Sequence, residues 1–286
     1  MKVLSLFDGM SCSHIALDRL GINVDEYYAS EIDKYALKVS QANYPNIIQL
    51  GDILHWQDWD IDWETIDLVI GGFPCQSWSI AGKQLGDKDE RGKMFWVMLD
   101  IMKKVMDKNP AAYYLMENVR MRKKFEEYIT THTENALPNV NKYCINSALV
   151  SAQNRIRFYW TNINNVEQPE DKGIVLKDIL ENNLKDNLEN LPSKTETIKK
   201  QYYKSSKANF ERSGTFHATG IPQTISSDQE QEVYWRKLLP LECMRLQTVQ
   251  DDYLMPVSNT QKYKLLGNGF TVDVICHILK KIKDYI

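Results

Sequence analysis

The feature that most constrains this chain is an alternation of two periodicities in its first half. Short apolar runs at residues 3–7, 27–30, 68–70, 113–116 and 145–150 have strand length, and residues 155–163, rich in aromatic and β-branched side chains, add another candidate strand. Between them, residues 15–20, 36–42, 95–106 and 125–131 place apolar residues at helical spacing. Strands taking turns with helices bury both faces of a parallel sheet, so the pattern predicts a doubly wound α/β domain. Around residues 164–235 the pattern gives way to Asn, Gln, Lys, Ser and Gly, apart from a short helix-like stretch at 175–180. Helical spacing returns at 241–247 and 272–282. The expected organisation is therefore a first domain over 1–163, a smaller region over 164–236, and a segment over 237–286 that completes the first domain.

Composition narrows the class. A hydrophobic fraction of 43% and a charged fraction of 26% are those of a globular chain. No apolar run reaches the roughly 18 residues that cross a bilayer, and Asp8 interrupts any signal-like segment, so no membrane association and a cytoplasmic location are expected. The five cysteines are odd in number and include no Cys-x-x-Cys pair, which argues against both a disulfide framework and a zinc site; no metal is expected. Charge is unevenly spread. Residues 18–67 hold eleven acidic and three basic side chains, 75–124 hold six and eleven, and 194–212 hold two and six, so a polyanion could lie against the middle and late parts of the chain.

The segments that carry chemistry sit where strands end. Phe7-Asp8-Gly9-Met10 follows the first strand and opens a helix, the place where α/β sheets bind nucleotide-like cofactors, although it lacks the Gly-x-Gly-x-x-Gly fingerprint. Glu31 and Asp52 end the next two strands and could accept hydrogen bonds from ribose hydroxyls and an exocyclic amine. Gly71-Gly72-Phe73-Pro74-Cys75-Gln76-Ser77 exposes a cysteine at a strand end, in a turn that a core cysteine would not require. Glu117, in Glu117-Asn118-Val119, closes another apolar strand and could face that thiol. In Gln153-Asn154-Arg155-Ile156-Arg157, strand alternation puts Arg155 and Arg157 on one face, where two guanidinium groups could hold a carbonyl-bearing ring and favour a thiolate; a surface ladder of arginines is the alternative.

In this order, with Leu266-Gly267-Asn268-Gly269 near the end, these segments resemble the DNA (cytosine-5) methyltransferase family, with similarity to bacterial or phage enzymes and to the animal de novo branch. The resemblance covers nearly all of the chain outside 164–235. It implies a Rossmann-like S-adenosylmethionine methyltransferase fold with a small target-recognition region, acting on double-stranded DNA without an obligatory protein partner, with a companion restriction nuclease or a phage genome to protect as the biological setting. Carried over by position, it implies that Cys75 is the nucleophile after Pro74, that Glu117 holds the cytosine N3 and amine, and that Arg155 and Arg157 steady the base. Phe7, Gly9, Met10, Glu31, Ile32, Asp52, Ile53, Pro74 and Asn268 would line the S-adenosylmethionine site. Ser11, Cys12 and Gly269 depart from the commoner family residues. A polar, glycine-containing lid is expected over 77–93. Two alternatives stay open at this point: a cytosine-5 tRNA methyltransferase, whose usual Cys-Phe-Thr differs from Cys75-Gln76-Ser77, and a catalytically dead homologue.

Overall fold

The computed structural model describes residues 1–75, 78, 90–181, 193–200, 202–204, 220–227 and 230–285. The chain divides into two compact units. The first comprises Met1–Ile145, Ile156–Gln168 and Ile275–Ile286; the second comprises Asn146–Arg155 and Pro169–Val274.

The first unit is built on a seven-stranded sheet. Its strands are β1 (Lys2–Leu6), β2 (Glu26–Ser30), β3 (Ile48–Gln49), β4 (Leu68–Gly71), β5 (Tyr113–Val119), β6 (Asn141–Asn146) and β8 (Ile156–Thr161), in the order β3-β2-β1-β4-β5-β8-β6. Strands β1 to β5 pair in parallel, and β8 runs antiparallel to β5. Helices α1 (Cys12–Leu20), α2 (Lys34–Asn43), α3 (Glu90–Lys108) and α4 (Lys123–Ala136) make the crossovers. This is the doubly wound α/β fold that the alternation predicts. Val69 and Ile70 show no exposure, as expected of a parallel strand covered on both faces. One covering layer packs Phe95, Met98 and Met102 of α3 and Ile129 of α4 against Leu4, Leu6, Met116 and Trp160 of the sheet. Each such buried side chain contributes roughly 1.5–3 kcal/mol.

Two consequences of the topology place the site. The chain runs outward from β1 through β2 to β3, then restarts with β4 on the other side of β1, so the order reverses between β1 and β4. A crevice opens at the carboxyl ends of two such strands, and the turns after both line it. Gly71 ends β4 beside Leu6 of β1, and a Cβ there would lie 2.3 Å from the Leu6 carbonyl oxygen. Only glycine lets the two strand ends approach so closely.

The second unit contains the parallel pair β7 (Gln153–Asn154) and β9 (Thr195–Glu196), the antiparallel hairpin β10 (Gly220–Ser227) and β11 (Glu230–Lys237), and helices α5 (Leu176–Ile179), α6 (Pro240–Leu246) and α7 (Asn259–Asn268). Helix α8 (Val272–Leu279) carries the chain back to the first unit, where Cys276 Sγ reaches the Ala16 carbonyl at 3.5 Å.

One expectation needs correction. Residues 145–150 are not a strand: β6 ends at Asn146, whose side-chain carbonyl accepts from Ala148 N–H at 3.1 Å and turns the chain into a 3-10 helix over Ser147–Leu149. Residues 238–274 stay with the second unit because Tyr202 accepts the Leu238 N–H at 2.7 Å, Tyr263 donates to the Leu238 carbonyl at 2.8 Å, and the two phenol rings pack edge to face.

Candidate active site

The Cys75 loop is held from two sides. Strands β4 and β5 run in parallel with Gly71 opposite Met116, so Gly72–Cys75 and Glu117 leave the same sheet edge. Asn118, 1% exposed, donates its side-chain amide to the Phe73 carbonyl at 3.0 Å, and its own carbonyl accepts from Val119 N–H at 2.8 Å. Downstream, Trp78 N–H donates to the Cys75 carbonyl at 3.0 Å, and its buried indole packs among Phe73, Phe95, Phe125 and Tyr128. Cys75 itself is half-buried, as is Pro74. The anchoring role of Asn118 was legible only as its place in the Glu-Asn-Val segment. Residues 76–77 and 79–89, including most of the expected lid, lie outside the described residues.

Glu117 faces a cation. Arg157 lies opposite Val119 on the neighbouring antiparallel strand, on the same face as Glu117, and its Nε donates to Glu117 Oε1 at 2.8 Å. The two side chains are only 11% and 12% exposed. A carboxylate fixed this way presents a defined acceptor edge, because a hydrogen-bonded guanidinium removes its rotational freedom.

Arg155 lies in the second unit. Strand β8 begins at Ile156, and Arg155 precedes it, its N–H held by Asn146 Oδ1 at 2.9 Å. Its guanidinium, 3% exposed, donates to the backbone carbonyls of Ile198, Gly267 and Gly269 within the second unit. Gly267 belongs to α7, and a Cβ on it would lie 2.5 Å from the backbone of Lys199 and Lys200, which explains the glycine of the Leu-Gly-Asn-Gly segment. Asn268, expected at the cofactor, is the exposed last residue of α7.

At the end of β1, the turn over Phe7–Met10 faces the end of β2. Gly9 N–H donates to Glu31 Oε2, and Ile32 and Asp33 N–H groups donate to Glu31 Oε1, all at 2.8 Å. A carboxylate offers about four acceptor positions, so Glu31 retains room for a hydroxyl but not for two without rearrangement. Asp52 caps the 3-10 helix Ile53–Asp58 through Oδ1, which accepts from Leu54 N–H at 3.0 Å, and its second oxygen has no hydrogen-bond partner among the described residues. Ile32 is 71% exposed, whereas Ile53 and Met10 are buried at 5% and 1%. Of the apolar residues expected along the cofactor, Ile32 and half-buried Phe7 therefore present surface, and Met10 offers its backbone. Two acceptors at successive strand ends beside an exposed aliphatic face suit an adenosyl group: carboxylates take hydroxyl and amine donors, and a flat ring takes the apolar contact. Asp8, to which the sequence reading gave no role, is half-buried beneath this turn; desolvation pushes its carboxyl up to about 6, while hydrogen bonds from Ser11, Ser5 and Tyr27 pull the other way. Among the described residues no group of three His, Cys, Asp or Glu side chains is placed to hold a metal ion, and no helix is long and apolar enough to cross a membrane.

Comparison with known proteins identifies the family. The chain matches the family described as C-5 cytosine-specific DNA methylase over residues 1–212 and 185–284. It is 30% identical to the type II methyltransferase M.HpaII of Haemophilus parainfluenzae, covering 98% of this chain and 88% of that protein. It is 27% identical to M.HhaI of Haemophilus parahaemolyticus, covering 99% and 94%. Among solved structures, the Entamoeba histolytica methyltransferase EhMeth aligns with a TM-score of 0.72 at 15% identity, covering 100% of this chain and 98% of that one. The putative DNA modification methyltransferase encoded within an Escherichia coli prophage aligns at 0.63 and 16%, covering 99% of each. At those identities the structural likeness bears on the fold alone. By its sequence match the chain belongs to the C-5 cytosine-specific DNA methylase family: it is a DNA cytosine-5 methyltransferase that uses S-adenosylmethionine.

Proposed function

We propose that Cys75 is the nucleophile of this methyltransferase, that Glu117 and Arg157 orient the target cytosine, and that the enzyme modifies one short duplex sequence as the companion of a restriction nuclease or the guardian of a phage genome. The observation that carries the reading is the shared sheet edge at which Asn118 ties the Cys75 loop to the strand bearing Glu117 and its partner Arg157.

The chemistry requires these groups together. Carbon 5 of cytosine is a poor nucleophile, and S-adenosylmethionine, when bound, supplies an electrophilic methyl group on a sulfonium sulfur. The Cys75 thiolate forms a bond to carbon 6, and the ring π pair moves toward carbon 5, which becomes enamine-like. Glu117, turned by Arg157, accepts from the exocyclic amine and, in its protonated form, donates its proton to N3, neutralising the negative charge that thiolate addition puts on the ring; the proton returns when the adduct breaks down. Once carbon 5 carries its substituent, loss of its proton restores the double bond and expels the thiolate. A base stacked in a duplex cannot offer its face to Cys75, so the target must be flipped out. On the cofactor side, Glu31 and Asp52 would hold ribose and adenine donors, with Phe7, Gly9, Ile32 and Pro74 about them.

Sequence choice belongs, in this reading, to residues 164–236. Lys199, Lys200 and Lys204 are exposed there, and the hairpin β10–β11 supplies a ribbon of the kind that enters a groove. The side chains of Tyr203, Lys207, Phe210 and Arg212, which complete the expected basic and aromatic mixture, lie outside the described residues. Bisulfite sequencing of DNA from cells expressing the chain reports activity and target together. Protected cytosines at one sequence are expected, and Cys75→Ala should abolish them while purified protein still binds S-adenosylmethionine. Undiminished methylation in that variant would remove Cys75 from the mechanism.

A further inference from the structure

The turn after β1 is strained, and one half-buried carboxylate holds it. Phe7 (φ 55°), Gly9 (φ 63°) and Ser11 (φ 58°) all adopt left-handed backbone, which costs little only for the glycine. Asp8 lies among them. Its Oδ1 accepts from Ser5 Oγ at 2.6 Å and Tyr27 Oη at 2.7 Å, and its Oδ2 accepts from Ser11 Oγ at 2.6 Å. Its own N–H donates to the Ser30 carbonyl at 3.1 Å, next to the Gly9 contact with Glu31. One side chain thus links β1, β2 and the first residue before α1.

An ionised carboxylate accepts from all three hydroxyls. A protonated carboxyl must itself donate, and the Ser11 hydroxyl, which also has Ser40 Oγ at 2.6 Å, then turns its proton away from Asp8. Burial disfavours the charge, and Glu31 adds like-charge repulsion, so Asp8 changes protonation at about pH 6. The other ionisable neighbours are Tyr27 and Tyr44, both pushed upward by burial, and His14, pushed downward by burial, whose ring lies 4.7 Å from Tyr27 and 3.8 Å from Tyr44; Cys12 faces Tyr44 from α1.

We propose that Asp8 is a positioning residue for the cofactor: charged, it locks residues 7–11 in the conformation that presents Phe7 and the Gly9–Glu31 contact, and losing the charge loosens that turn and weakens cofactor binding. The proposal rests on the assignment of the cofactor to Phe7, Gly9 and Glu31. It sets Asp8 apart from a carboxylate that merely supports the fold. Burying an ionised Asp8 works against folding near neutral pH, so its amide should be tolerated there while binding suffers.

Equilibrium binding of S-adenosylmethionine and of S-adenosylhomocysteine to the full chain, measured by calorimetry from pH 5.5 to 7.5, tests it. The wild-type Kd for both ligands is expected to rise roughly tenfold toward acid with a midpoint near 6. Asp8→Asn should bind weakly throughout, with a flattened profile and a melting temperature at pH 7.5 no lower than wild type. Tyr27→Phe, which removes one donor and keeps the ring, should show a smaller loss in the same direction. Wild-type affinity with an unchanged profile in Asp8→Asn would overturn the proposal, as would a pH dependence confined to the sulfonium ligand, since that would be direct charge attraction. Glu31→Ala separates the two levels of inference. If it binds normally, the cofactor assignment fails; if it is weakened while Asp8→Asn is not, only the role of Asp8 fails.

Discussion

Replacing Asn118 tests whether the Cys75 loop owes its position to the strand that carries Glu117. Its amide reaches the Phe73 carbonyl at 3.0 Å and its carbonyl takes the Val119 N–H at 2.8 Å, in a side chain only 1% exposed. Asn118→Ala leaves two backbone groups without these partners where water enters poorly, at about 1–3 kcal/mol each, so a stability loss of roughly 2–5 kcal/mol is expected. Asn118→Asp keeps the shape and the Val119 bond but sets a carboxylate oxygen against the Phe73 carbonyl, replacing an attraction with a repulsion. The loop then moves, and a displacement near 1 Å at a reacting group costs about 10²-fold in rate. Urea unfolding gives the stability term, and single-turnover methylation of a duplex at saturating cofactor gives the rate. The expected result is a rate loss of about two orders of magnitude in both variants, with cofactor affinity changed less than threefold because Asn118 lies away from Glu31 and Asp52 in the sheet order. Near-normal single-turnover rates in a folded Asn118→Asp protein would show that the Phe73 contact does not position Cys75.

Asp52→Ala should raise the cofactor Kd about tenfold, the equivalent of one charge-assisted hydrogen bond, whereas Asp52→Asn, which preserves an acceptor for Leu54 N–H, should isolate the ligand contribution from the cap; calorimetric titration distinguishes them. Gly267→Ala forces a methyl to within 2.5 Å of the Lys199–Lys200 backbone and should cost about 1–3 kcal/mol, visible as a lower melting temperature and refuted by an unchanged one. Exchanging residues 164–236 for those of a relative with another target should move methylation to the relative's sequence in a bisulfite assay. An active chimera that kept the original target would place recognition elsewhere.

Much of the first unit was legible because its strands are short, apolar and buried on both faces, so composition alone marks them: 68–70 reads as a strand and is one. The failures come where a polar side chain, not periodicity, decides the backbone. Residues 145–150 are apolar enough for a strand, yet Asn146 bends them into a 3-10 turn. The hairpin over 220–237 was passed over because Pro222 weakens a strand reading and Asp228-Gln229 is not the usual glycine turn, although Ile221 to Arg236 pair in regular register. Helix α7 was missed for the converse reason: Asn259, Gln261, Lys262 and Lys264 dilute its apolar stripe, and Tyr263 and Leu266 carry the burial.

The two arginines show how far a motif can be read and where it stops. Alternation assumes that a strand is already running at Arg155, but Asn146 captures the Arg155 N–H and the ladder with β5 begins only afterwards. The same pentapeptide therefore serves two ends. Arg157, inside the strand, is paired with Glu117. Arg155, one residue outside it, spends its donors on the carbonyls of Ile198, Gly267 and Gly269, groups that no local sequence pattern connects to it. A buried guanidinium with several backbone acceptors orders the chain on which it closes, since each acceptor left unpaired would cost about 1–3 kcal/mol. The Arg-x-Arg spacing thus serves two constraints: Arg157 reaches the Glu117 carboxylate, and Arg155 holds the Leu-Gly-Asn-Gly segment together with the residues that follow β9.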